Sequence, residues 1–194
     1  QAVNKVISQG KSVYLTDDGY IVDRDTFASL LPNYAIYGEA LYKVPNGPTL
    51  KPLKIYSPNY HYNWTGVDAP AHTSLVLEKL GFQIVDTPDE ADVIVLENNR
   101  FDASIFGKKP TLVIGGEAMQ KLEKLGVLSG FDAEKLKGGS DYEGLMKAII
   151  DDQDPLTSGY KKNALFYSNS GNWIEKVPSN FKTLMSIASS DYYI

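Results

Sequence analysis

"TLVIGGEAM", Thr111 to Met119, decides how the rest of the chain is read. Its apolar run Leu112, Val113 and Ile114 stops on two glycines and passes into "EAMQKLEKLGVL", where Met119, Leu122 and Leu125 recur at helical spacing. Strand, tight turn and helix in immediate succession predict an α/β fold, in which the strand's carboxyl end and the helix N-terminus meet at the turn. Such an elbow is where many enzymes hold a nucleophile. Here its apex offers only Gly116, Glu117 or Ala118.

The same alternation extends in both directions. Upstream, "LKIYSP" reads as a strand, "APAHTSLVLEKLG" as a helix with Val76, Leu77 and Leu80 on one face and Gly81 as its stop, and "FQIVD" as the next strand. In "DEADVIVLENN" the four consecutive apolar residues Val93 to Leu96 suit a central strand covered on both sides. "FDASIFG" is a short helical turn. Downstream, "DYEGLMKAIID" reads as a helix through Leu145, Met146, Ile149 and Ile150, "NALFY" and "FKTLMSIAS" as later strands, and "GNWIEKVP" as a turn-rich connector. This order predicts a mainly parallel, doubly wound sheet.

The first 48 residues have a different texture. "VNKVISQG" reads as a helix end, "SVYLTDDGYIVD" as extended chain and "DRDTFASLL" as helical, and the proline-rich "VPNGPTLKP", Val44 to Pro52, separates them from the sheet. Residues 1–48 are therefore assigned to an N-terminal segment, a linker or the end of a preceding domain, and residues 49–194 to the α/β domain. "QAVNKVISQGKSVYL" lacks the pattern of a signal peptide, and both ends read as cut from a longer polypeptide.

Composition narrows the function. A net charge of -5 without a lysine or arginine cluster argues against nucleic acid as a partner, and no apolar run is long enough for a membrane span. The absence of cysteine removes disulfides, thiolate metal sites and cysteine nucleophiles together. The only histidines, His61 and His72, precede the elbow, and no Gly-x-Ser-x-Gly or Gly-x-Gly-x-x-Gly pattern occurs. His61, Asp68 and His72 lack the spacing of a zinc site, and the reading preferred for them is an exposed aromatic loop and the first turn of a helix.

What remains is a cleft. Ligands of open parallel sheets bind beyond the carboxyl ends of the strands. Those ends carry Asn59 and His61 after the first strand, Glu97 and Asn98 after "VIVL", and Glu117 at the elbow. The set suits a sugar or a peptide amine, and Glu97 with Glu117 would be the acid/base pair of a divergent hydrolase. The bland alternative has Asn98 and Asp102 capping the next short helix and Glu117 complementing the positive end of its own helix.

Several stretches carry a family likeness: "KPLKIYSPNY", "TSLVLEKLGFQIVDTPDEADVIVLEN", "VIGGEAMQKLEKLG" and "DPLTSGY" followed by "LFYSNSGNWIEKVPS". From Leu50 to Ile194 the chain resembles the class I glutamine amidotransferase-like domain that follows the catalytic domain in large secreted bacterial zinc carboxypeptidases. The resemblance implies a three-layer α/β fold of the flavodoxin type and a non-catalytic accessory domain, a pseudo-amidotransferase whose partner is the parent's catalytic domain, secreted or at the cell surface, with cell-wall sugar or peptide as further partners. Zinc is then expected only in the parent, because this chain has no His-x-x-Glu motif, and no cofactor is expected here. The amidotransferase cysteine and histidine also have no counterpart.

Overall fold

A computed structural model of the chain describes residues 1–16, 19–44, 47–58, 72–135, 144–157, 159–168 and 172–187. The chain divides into two compact units, Gln1–Leu96 with Arg100–Leu112, and Glu97–Asn99 with Val113–Ile194.

The first unit runs through α1 (Ala2–Ser8), β1 (Tyr14–Thr16), β2 (Gly19–Ile21), α2 (Arg24–Leu30), β3 (Lys54–Tyr56), α3 (His72–Lys79), β4 (Gln83–Val85), β5 (Val93–Leu96) and the start of β6 (Thr111–Val113). Its sheet has the order β4-β3-β5-β6, with β3 parallel to both neighbours and Ile55 opposite Ile84 on one side and Val93 on the other. The first strand thus lies inside and the second and third on either side of it, which is the doubly wound order expected from the sequence. Burial explains the central position of β5: Ile94, Val95 and Leu96 are at most 1% exposed, as a strand covered on both faces requires. Its register with β3 is locked at the start. Lys54 N–H donates to Asp92 Oδ2 at 2.8 Å, and Asp92 N–H donates to the Lys54 carbonyl at 2.8 Å.

Gly81 stops α3 as expected, at φ +89°. Phe82 N–H reaches back to the Leu77 carbonyl and Gly81 N–H to that of Glu78, the paired bonds of a Schellman ending. The expected core face of α3 is not formed: Val76 is 55% exposed and Leu80 38%. Of Val76, Leu77 and Leu80, Leu77 alone is half-buried.

Residues 1–50 build a small core of Val6, Ile7, Val13 and Leu30, with Val3, Val22, Tyr34, Ile36 and Leu50 packed against it. Gln1 Nε2 and Asn4 Nδ2 donate to the Lys79 and Leu80 carbonyls at the end of α3. Residues 48–50 run beside the start of β1, where Leu50 N–H donates to the Val13 carbonyl and Leu15 N–H to that of Pro48. Asp23 caps α2, accepting from Thr26 N–H at 2.9 Å and from the Thr26 hydroxyl at 2.6 Å, while Lys11 Nζ donates to that hydroxyl.

The second unit holds α4 (Gly116–Lys124), β7 (Asp132–Lys135), β8 (Gly144–Ile150), β9 (Asn163–Ser168), β10 (Asn172–Lys176) and β11 (Met185–Ile187). These strands pair antiparallel, β10 with β7 and β8 between β11 and β9. Two expectations are corrected here. "DYEGLMKAIID" contributes β8 in place of a helix: Ala148 and Ile150 are buried while Leu145 and Ile149 are exposed, a period of two imposed by pairing with β9 from Gly144↔Ser168 to Ile149↔Asn163. "GNWIEKVP" contributes β10 in place of a connector, because it finds a partner in β7, whose charged "DAEK" carries no strand signal.

Candidate functional site

The elbow is built as its sequence suggests. β6 ends at Val113, and Gly115, the residue before α4, takes φ +84° and ψ 159°, a region essentially reserved for glycine. Space is not what demands glycine there, since a Cβ would lie 3.6 Å from the Glu97 carbonyl, an ordinary contact. Ala118 and Leu122, one turn apart and fully buried, hold α4 in place. Leu125, expected in the same apolar row, falls at the C-cap and is 53% exposed.

Glu97, Asn98 and Asn99 form the loop that follows β5, in the same unit as α4. Lys121 Nζ donates to the Asn99 carbonyl at 2.8 Å, tying the loop to the helix. Among the described residues, the buried Glu97 Oε1 finds no hydrogen-bond partner. Asn98 is half-buried. Glu117 is exposed in the first turn of α4, where Gly115 gives no side-chain cap and a carboxylate complements the helix's positive end. No hydrogen bond joins Glu97 to Glu117. Asp102 caps the short 3-10 turn Ala103–Ile105, accepting from Ser104 N–H at 2.9 Å.

Asn59 and His61, with Asp68, lie outside the described residues. Among the described residues no three His, Cys, Asp or Glu side chains gather as a metal ion requires, and no helix is long and apolar enough to cross a membrane. On the elbow side the described residues offer two separate carboxylates, Glu97 with one oxygen buried and Glu117 exposed, and a carboxylate accepts from ligand hydroxyl or ammonium donors. Sequence reasoning missed Lys121 as the residue that holds the loop, and an i-to-carbonyl contact 22 residues away in sequence leaves no periodic signal. In the first unit, Ser57, one residue past β3, also buries a hydroxyl that finds no partner among the described residues.

The clearest charge cluster is remote in sequence from the elbow. Lys182 Nζ lies 2.8 Å from Asp151 Oδ2 and 2.7 Å from Asp154 Oδ2. Its hydrogen bonds hold both carboxyls below the usual range and raise the lysine in turn. Asp154 also accepts from Leu156 N–H at 2.9 Å, opening the 3-10 turn Pro155–Thr157 of the "DPLTSGY" stretch.

No protein-family model matches the chain, and no curated protein matches it. Among solved structures, it is similar to a protein of Thermoplasma acidophilum described as one subunit of a GMP synthase, with a TM-score of 0.47 and 20% identity, over 72% of this chain and 75% of that one.

Proposed function

We propose that this chain is a non-catalytic, glutamine amidotransferase-like domain that serves a larger secreted or cell-surface bacterial zinc carboxypeptidase by stabilising it or positioning its substrate or partner. The observation that carries the reading is the elbow at Gly115, followed by Glu117, in a chain that contains no cysteine and no histidine beyond residue 72. Acyl transfer at such an elbow needs a thiolate, a base to take its proton, and backbone N–H groups left free for the oxyanion. Glu117 supplies no thiol, and nothing at the apex replaces it. Its carboxylate sits in the first turn, where it disfavours a second negative charge. Zinc chemistry belongs to the parent's catalytic domain in this reading, and this chain contributes no ligand to it.

One observation favours a second reading, a carbohydrate- or peptide-binding module. Glu97 Oε1, which finds no hydrogen-bond partner among the described residues, is an acceptor that a ligand hydroxyl or ammonium would satisfy once the side chain turns outward. A thermal-shift screen of the purified chain against cell-wall sugars, amino acids, short peptides and divalent metals separates the two, since a ligand that binds only the native state raises its melting temperature. A saturable shift lost in Glu97→Ala and Glu117→Ala supports the binding module. No shift with any class, together with a parent enzyme that is destabilised when the domain is removed, supports the accessory role. A parent that is unchanged without the domain counts against it.

A further inference from the structure

We draw no further inference here: the strongest candidate, the apolar face that Leu145 and Ile149 of β8 and Leu165 and Tyr167 of β9 expose on the antiparallel sheet of the second unit, carries nothing because nothing in the structure shows what covers it.

Discussion

Lys121 Nζ and the Asn99 carbonyl oxygen, 2.8 Å apart, join α4 to the loop that presents Glu97 and Asn98. The bond is exposed, so its contribution to global stability is small, at most about 1 kcal/mol. Its local effect is larger. Lys121→Met is expected to leave the melting temperature nearly unchanged and to speed amide exchange over residues 97–99, read by hydrogen exchange with mass spectrometry. Unaltered exchange there would show that the loop is held by other contacts.

Glu97 and Ser57 bury polar atoms that find no partner among the described residues. Leaving such a group unsatisfied costs about 1–3 kcal/mol, so its removal is expected to be neutral or favourable. Ser57→Ala should match or exceed the unsubstituted chain in denaturant midpoint, and Glu97→Met should do the same. A loss above about 1 kcal/mol in either variant would mean that the side chain has a partner in solution.

Gly81 and Gly126 end α3 and α4 in the same way, each with a positive φ and the same pair of returning hydrogen bonds. They differ in their surroundings. A Cβ on Gly81 would meet Asn4 Cβ at 3.2 Å, whereas one on Gly126 meets nothing within 4 Å. Gly126→Ala should cost about 1 kcal/mol, the conformational part alone, and Gly81→Ala more than that. Urea melts of the two variants give the comparison directly, and equal losses would remove the packing contribution at Asn4.

Lys182 clamps Asp151 and Asp154, and pH should reveal it. The carboxyls have lowered values in the folded state, so their contribution is present above the ordinary aspartate range and is lost as pH falls through the lowered values. Lys182 is raised, so its contribution is present below the ordinary lysine value and is lost as pH rises through the raised one. Lys182→Met should therefore lower the melting temperature at neutral pH and narrow its gap to the parent chain in acid, below about pH 4. Because Lys182 is 60% exposed, while Asp151 and Asp154 are half-buried, part of the effect should also be lost in high salt. A gap independent of both pH and salt would assign the loss to packing of the lysine stem.

The parallel sheet was legible because its strands announce themselves. "VIVL" is buried on both faces, and the glycines at 81 and 115 stand where backbone geometry requires them. The antiparallel part was less legible for a physical reason. "GLMKAII" is apolar at positions that fit both a helical and an alternating pattern, and only its partners β9 and β11 decide between them. β7 is harder still: "DAEK" has low strand propensity and becomes a strand through β10. At the candidate site, Glu97 and Glu117 could be placed at strand and helix ends from sequence, but the burial of one and the exposure of the other could not. Asn59 and His61 belong to a segment outside the described residues.

The central claim is that an elbow with Glu117 in place of a nucleophile does no chemistry. Ammonia release from glutamine, followed by a coupled assay with the purified chain from acid to mildly alkaline pH, tests it most directly. The account predicts a rate no higher than buffer for the chain and for Glu97→Gln and Glu117→Gln alike. Turnover with a bell-shaped pH profile, abolished by either substitution, would contradict it and establish the two carboxylates as an acid/base pair.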